Sequence, residues 1–379
     1  MKSKLILILS ALLAGSMLLA ACATPTPPPP TAVPPTQVPP TSAPTAVPWT
    51  APKGALVSYP VQTPPNIDGN ADDVAWAQAQ ATVIPVATFG IPTFNWTVKS
   101  VYTSDTVYFL IQYPDANEEF SRGLWAYDPT TKSWGIISDD FNDEDEFGLF
   151  WNINMPNYAQ AGCTQACHND KMVAPTGTSA DLWQWTSVRT NPMGWAADRT
   201  LGDNINASDS GGFVDDAGVE KDPGFTDNVQ TIGKVQVPLY WKPFSGASGI
   251  SMGSPLFLLK SEIDAGAAKK IVAVDANGVL TDEAGTKVPL WVHIPGWIDS
   301  TPGGPAYGDI AAKGTWANGV WTVELSRKLD TGNTTDVQFK DLTTTYYWDA
   351  YVKTRQTGES AHGNVPTTPF VFSPTAYTP

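Results

Sequence analysis

Cysteine and histidine are scarce in this 379-residue chain, which contains three of each. Basic residues are also few, with 22 lysines and arginines against 37 acidic residues, so the formal net charge is −15. An acidic chain is a poor ligand for nucleic acids, but it suits docking to a basic protein. The sequence has no glycine-rich phosphate loop and no recognisable catalytic set. We therefore expect a binding or carrier protein and not an enzyme.

The N-terminus predicts export and a lipid anchor. Two lysines precede an apolar run at residues 5–21, which is typical of a signal peptide and too short for a stable membrane-spanning helix. The run ends in Leu-Ala-Ala immediately before Cys22. This arrangement resembles the lipobox of bacterial lipoproteins, and an ordinary signal peptide with an incidental cysteine is the alternative. We expect residues 1–21 to be removed and the lipid on Cys22 to hold the protein at a membrane, on the periplasmic side or at the cell surface.

A stalk should follow the anchor. Residues 24–52 are almost entirely proline, threonine, alanine and valine, a composition that cannot bury a core and favours an extended polyproline-like chain. At ~3.1 Å per residue, such a chain could span roughly 90 Å. We therefore divide the mature chain into a lipidated stalk, 22–57, and one domain, 58–379.

The domain shows strand patterns with turn residues between them, and long amphipathic helices are absent. Strand signals occur at 96–102, 107–111, 147–153, 346–352 and 370–372. Hairpins are expected at 271–280, with a turn at Asn277-Gly278, and at 315–325, with a turn at Asn318-Gly319. Short helices are expected only at 72–79 and 163–171, and loop insertions at 203–228 and 244–312. The pattern predicts an all-β fold, an antiparallel β-sandwich with long loop insertions and a few short helices.

The strongest chemical signal is Cys163, Cys167 and His168, in the order C-x-x-x-C-H. Covalent haem attachment uses two thiols and a histidine directly after the second, usually as C-x-x-C-H, so the spacer here is one residue too long. The two cysteines are also close enough for a disulfide. Metal ligation and free thiols remain open as well.

Three further residues bear on a metal or haem site: two are candidate ligands and one is interpreted as structural. Met172 lies four residues after His168, on the same side of a helix if one forms, and thioether and imidazole both bind haem iron. With the cysteines, the same set would suit copper or zinc, and a packing role for Met172 is the alternative. His362 lies in a glycine-flanked loop and is the more plausible distant ligand. His293 lies in a strand-like apolar run and is interpreted as structural.

Two compositional features allow more than one interpretation. The acidic run at 139–146 has the oxygen atoms that calcium prefers, but it lacks the spacing of a calcium loop, so a solvated approach to a strand is favoured. The fifteen tryptophans fit either a core or a flat ligand platform.

A series of motifs resembles one known family in their order along the chain. They are Ile67–Trp76, Val107–Asp115, Asp143–Trp151, Gly162–His168, Asp181–Trp185, Gly319–Arg327 and Asp336–Phe339. Together they span nearly all of 60–372. This order resembles the ethylbenzene dehydrogenase γ-subunit-like haem-binding domain, also called the cytochrome c-552/DMSO reductase-like haem-binding family.

The resemblance implies an antiparallel β-sandwich that holds one haem b and passes electrons from molybdenum enzymes. Molybdopterin enzyme subunits, or another redox protein, would then be the partner. In the family the iron lies between a methionine and a lysine. Met172 matches the methionine by position, whereas the late strands offer His362 and, less well placed, Lys353; His168 is a rival for the same iron. Haem b needs no thiols, which favours a disulfide between Cys163 and Cys167.

The opening motif also supports an alternative from another class. Asp68-Gly69 followed by Trp76 is shared with sugar-binding sandwiches such as the family 9 carbohydrate-binding modules. The alternative is a surface-tethered carbohydrate-binding lipoprotein with tryptophans as stacking platforms.

Overall fold

The computed structural model describes residues 49–88, 93–119, 123–137, 144–167, 173–203, 213–215, 224–243, 257–300, 308–354 and 361–378. Side chains at 88, 167, 213–215 and 361–363 are outside this description. The signal peptide, Cys22 and residues 22–48 of the stalk also lie outside it, so those predictions stay predictions. Among the described residues, no helix is both long enough and apolar enough to cross a membrane.

Strands dominate the described chain. They are β1 Leu56–Pro60, β2 Thr82–Thr88, β3 Phe94–Tyr102, β4 Thr106–Pro114, β5 Trp125–Asp128, β6 Ser133–Ile136, β7 Glu146–Asn152, β8 Ala180–Thr186, β9 Trp195–Leu201, β10 Phe213–Asp215, β11 Phe225–Asp227, β12 Gln230–Ile232, β13 Val235–Val237, β14 Tyr240–Trp241, β15 Lys269–Val274, β16 Leu280–Asp282, β17 Trp297–Asp299, β18 Ile310–Ala317, β19 Val320–Lys328, β20 Tyr346–Thr354 and β21 Ala361–Phe372. The helices are short: α1 Tyr158–Ala161, α2 Thr164–Cys167, α3 Lys260–Asp264, and two 3₁₀ turns at Val74–Gln78 and Asn191–Met193.

Twelve of the strands form one sheet that closes on itself. Its order is β1-β21-β2-β3-β4-β19-β18-β9-β8-β7-β20, with β10 attached to β9, and β20 also pairs with β21. The pairs are antiparallel except that β1 runs parallel to both β21 and β3. The ring is therefore completed by the last strand of the chain.

An aromatic core lies inside this sheet. The rings of Trp96 on β3 and Phe147 on β7 are 5.3 Å apart between centroids, and Phe109 on β4 lies 5.5 Å from Trp151 on β7. Residues of β3 and β4 thus pack face to face with residues of β7. Two sheet layers around one core are a sandwich, so the predicted all-β antiparallel sandwich is confirmed.

The hairpin predicted at 315–325 also forms. β18 and β19 pair from Ala311–Ser326 to Ala317–Val320. Asn318 and Gly319 both have positive φ, 53° and 78°, which matches the turn that suits the twist of two paired strands. The Asn-Gly pair is therefore sufficient to locate this turn from the sequence.

The predicted insertions carry structure of their own. In the described part of 224–300, β12 pairs with β13, and β14, β15 and β16 form a small sheet. With β5 and β6 these strands surround a second apolar cluster that includes Trp125, Trp134 and Trp241. This cluster lets the insertion fold as a side unit on the sandwich.

Candidate functional site

Strands β7, β8, β9 and β20 have a second side, here called the outer face, which points away from the aromatic core. The core-facing residues of β20 are Trp348, Ala350 and Val352. Because side chains alternate along a strand, the outer-face residues of β20 are Asp349, Tyr351 and Lys353. Their register partners on β7 are Phe150, Gly148 and Glu146.

The described residues 155–167 and 173–174, here called the cover, lie over part of this face. The buried apolar side chains of the cover pack with those of the sheet in one cluster: Phe150, Met155, Tyr158, Cys163, Ala166, Ala174, Ala180, Leu182 and Leu201. Ala166 is fully buried before residues 168–172, and after them the Ala174 N–H donates to the Gly202 carbonyl, 2.8 Å away. The described chain on both sides of 168–172 is therefore fixed at the outer face.

A buried carboxylate binds the cover to the sheet. Asp349 is 4% exposed and accepts hydrogen bonds from the Tyr158 hydroxyl at 3.0 Å, the Cys163 N–H at 2.6 Å and the Thr367 hydroxyl at 3.4 Å. Burial raises the pKa of Asp349 to about 6, although these donors act in the opposite direction. One strand residue thus joins α1, the turn after it and β21.

A charged cluster occupies the other end of the outer face. Glu146 accepts from Lys353 Nζ at 2.9 Å and from Arg189 Nη2 at 3.3 Å. Arg189 also pairs with Glu144. Nearby Asp299 is buried, and burial, together with the negative charge of Glu144, raises its pKa to about 8. Lys353 is therefore ion-paired with a buried carboxylate.

A chain of hydrogen-bonded polar side chains lies between the charged cluster and Asp349. Arg199 Nη1 donates to the side-chain oxygen Oε1 of Gln184 at 2.9 Å, and Gln184 Nε2 donates to the Tyr351 hydroxyl at 2.8 Å. Burial raises the pKa of Tyr351 well above its usual range. Gly148 makes room for this ring, because a Cβ at Gly148 would overlap it.

The predicted ligands are described to different extents. Lys353 lies on the outer face, and its backbone pairs with that of His362 in β21. The side chain of His362 and all of His168 and Met172 lie outside the described residues. Strands β20 and β21 are therefore paired at Lys353 and His362. The axial ligands remain a prediction.

The thiols are also only partly described. Cys163 is 7% exposed and lies in the apolar cluster between the cover and the sheet. The side chain of Cys167 is outside the description, so the disulfide stays a prediction. His293 is half-buried in the insertion, where burial lowers its pKa; its structural role stays a prediction.

The solvated interpretation of the acidic run is wrong for its last three residues. Glu144, Asp145 and Glu146 are at most 3% exposed. Asp145 accepts from the Trp321 indole at 2.9 Å, and burial together with the nearby Asp115 raises its pKa to about 9. Residues 139–143 lie outside the description. The acids near β7 serve internal contacts that a sequence pattern cannot reveal.

The tryptophans mostly form cores. Eleven of the fifteen are buried: Trp76, Trp96, Trp125, Trp134, Trp151, Trp183, Trp185, Trp195, Trp241, Trp321 and Trp348. Trp291, in the insertion, is 63% exposed. Most of these rings are therefore unavailable as platforms for a ligand.

The opening motif is also structural. Glu324 on β19 accepts from the N–H groups of Asp68 and Gly69, at 3.0 and 2.9 Å, and from the Trp76 indole at 2.7 Å. These bonds attach the segment before β2 to the sheet. The residues of this opening motif therefore help to hold the fold together.

Sequence reasoning missed Asp349, Glu146 and Arg189 as members of the site. A usable signal was present for Asp349, since an acid among aromatic and apolar residues in a strand must have partners when buried. No local signal existed for Arg189, whose two acidic partners precede it by more than forty positions in the chain.

Comparison with known proteins gives the family. A family profile described as ethylbenzene dehydrogenase matches residues 73–362, which is most of the chain. Curated proteins gave no significant match. The chain belongs to the ethylbenzene dehydrogenase family.

Solved structures give weak similarities. A family 9 carbohydrate-binding module from Caldicellulosiruptor kristjanssonii in complex with glucose is 10% identical, covering 84% of this chain and 95% of that chain, with a TM-score of 0.32. A putative carbohydrate-binding protein from Bacteroides uniformis is 7% identical, covering 84% of this chain and 98% of that chain, with a TM-score of 0.35. Scores this low support no argument about function.

Proposed function

We propose that this member of the ethylbenzene dehydrogenase family binds one haem b at the outer face and transfers electrons, while a lipid on Cys22 holds it at the extracytoplasmic side of a membrane. The observation that carries the proposal is the meeting of two chain regions. The cover flanks residues 168–172 on the outer face, and β20 and β21 run side by side at Lys353 and His362.

The donor set fits a haem held without covalent bonds. Imidazole and thioether are good ligands for haem iron, and together they give a relatively high reduction potential. Lys353 fits less well, because its ammonium is ion-paired with Glu146 at 2.9 Å and an amine must lose its proton before it binds a metal. We therefore propose Met172 and His362 as the axial ligands, with His168 as the rival of His362.

The other outer-face residues would shape the environment of the group. The apolar cluster around Phe150 and Leu182 excludes water from one side of the face. The Arg189–Glu146–Lys353 cluster supplies charge at the opposite end. Bound haem would accept and donate one electron at a time, and this chain would contribute binding and orientation without a catalytic step of its own.

The partner would be a redox protein with a basic docking surface. The net charge of −15 favours such a partner and speeds its encounter with the chain at low ionic strength. The family supports subunits of a molybdopterin enzyme as the source of the electrons.

A visible spectrum tests the proposal. The secreted domain, produced in cells that export haem and then reduced with dithionite, should give sharp α and β bands. Acid-acetone should extract the pigment from denatured protein. A folded, colourless protein that binds oligosaccharides with quenching of its tryptophan fluorescence would instead support the carbohydrate-binding alternative. Haem retained on the Cys163–Cys167 peptide would overturn the b-type assignment and the disulfide.

A separate experiment tests the anchor. Intact mass of protein extracted from membranes should place a diacylglyceryl group on Cys22 as the first residue. Cys22→Ala should release the protein from the membrane without changing its spectrum. Unmodified protein that begins at another residue would exclude the lipid anchor.

A further inference from the structure

Asp349 is an unusual residue for its position. Its side chain lies under the cover, beside Phe150 and Tyr158 in an apolar cluster, and yet it is a carboxylate. Burying a carboxylate is costly unless it is fully hydrogen-bonded or paired with a cation. Its described hydrogen-bond partners, Tyr158, Cys163 and Thr367, are all neutral donors. An apolar residue of similar size would fill the same space at lower cost.

Gly162 allows the turn after α1 to approach the Asp349 side chain closely. Gly162 has φ +57°, and a Cβ at that position would overlap both the Asp349 carboxylate and the Thr367 hydroxyl. The Cys163 N–H then points at the carboxylate from 2.6 Å. Glycine at 162 therefore lets the turn after α1 dock directly on Asp349.

The position of this contact in the fold links it to the proposed site. Asp349 and Lys353 lie on the same face of β20, roughly 13 Å apart at ~3.3 Å per residue. The turn held by Asp349 leads within five residues to His168 and within nine to Met172. Strand β20 thus contacts the cover through Asp349 and pairs with β21 at Lys353 and His362.

We infer that Asp349 is a positioning residue, whose carboxylate fixes the Cys163 turn on β20 and thereby sets where the cover segment stands relative to β21. The inference rests on the proposed function for its haem readout. Its geometric part, the fixing of the turn, is measurable without haem.

The matched control is Glu324, another buried carboxylate whose three hydrogen-bond donors are neutral. It lies on β19, in a different part of the ring. Asp349→Asn and Glu324→Gln each remove one buried charge and keep an acceptor oxygen. Both variants should melt below the parent, so a shift in melting temperature alone distinguishes nothing.

The first readout is alkylation of Cys163 in reduced, haem-free protein, followed by peptide mass mapping. Asp349→Asn should react about tenfold faster than Glu324→Gln, because only the former weakens the hydrogen bond that holds the Cys163 turn, whereas Asp349→Glu should restore slow reaction at least in part. Equal rates in the Asn and Gln variants would overturn the inference.

The second readout is the reduction potential and the low-spin spectrum of haem-loaded protein. Only Asp349→Asn should change either one, and unchanged values in this variant would refute positioning of the haem site. If the parent takes up no haem while Asp349→Asn still speeds alkylation, the proposed function fails and the fixing of the turn stands.

Discussion

Arg327 offers a sharp test of how the sandwich is held together. Its guanidinium is completely buried and contacts four carboxylates. Asp181 is 2.5 Å away, Asp198 is 3.3 Å away, Asp309 is 3.5 Å away, and Asp336 is in direct contact. These acids come from four separate parts of the chain, so one cation attracts all four and offsets part of the negative charge that would otherwise make them repel each other.

Arg327→Met keeps most of the volume and removes this charge. Removing one partner of a buried ion pair costs about 3–5 kcal/mol, because the remaining charge is left uncompensated. At about 2 °C per kcal/mol for a domain of this size, the melting temperature at pH 7 should fall by ~6–10 °C. Lysine cannot contact four carboxylates in the same way, so Arg327→Lys should recover only part of the loss.

The loss of stability in Arg327→Met should depend on pH in a direction that can be worked out. Burial raises the pKa of Asp181 even with Arg327 lowering it, so the folded state already holds this proton more firmly than the unfolded state. Loss of Arg327 raises the pKa further, and stability then falls more steeply as the pH rises above the unfolded value of about 4. Urea denaturation followed by tryptophan fluorescence should therefore show a smaller defect at pH 5 than at pH 7.5. An equal defect at both pH values, or a loss under 1 kcal/mol, would refute the reasoning.

Two further predictions concern a buried acid and the proposed ligands. Asp145→Asn should flatten the fall in stability between about pH 4 and pH 9, because the folded-state pKa of Asp145 is raised to about 9 and the folded protein keeps a proton that the unfolded chain releases; urea midpoints across this range measure the slope, and an unchanged slope would contradict the assignment. Met172→Ala and His362→Ala should each convert haem to high spin or release it, whereas His293→Ala should do neither. If His168→Ala abolishes the low-spin spectrum and His362→Ala leaves it intact, the distal ligand is His168.

Local patterns were enough to predict the elements that depend on neighbouring residues. The β18–β19 hairpin follows from alternation and from Asn318-Gly319, whose backbone must reach positive φ. The pairing of strands that are distant in the sequence cannot be predicted from such local patterns. Nothing near Glu146 indicates that Lys353 is its partner, because the pairing of β7 with β20 is fixed by the whole core.

The main error of the sequence interpretation was the expectation that Glu144, Asp145 and Glu146 are exposed to solvent. A run of carboxylates has the composition of a solvated segment, and only the fold shows that Glu144 and Glu146 lie against Arg189. The apolar core of the insertion was hidden for another reason. Its strands β12 and β13 are three residues long, too short for alternation to be recognised.

The parallel pairing of β1 with β21 also constrains when the protein is able to fold. Leu56 lies beside Phe370, and β21 further joins β2 and β20. A ribosome makes β1 first and β21 last, so the sheet remains open until residues 361–372 have been synthesised. Contacts between such distant parts of a chain form slowly. Binding that depends on β20 and β21 lying side by side therefore requires residues 361–372, and a chain truncated before β21 should be a substrate for chaperones and proteases.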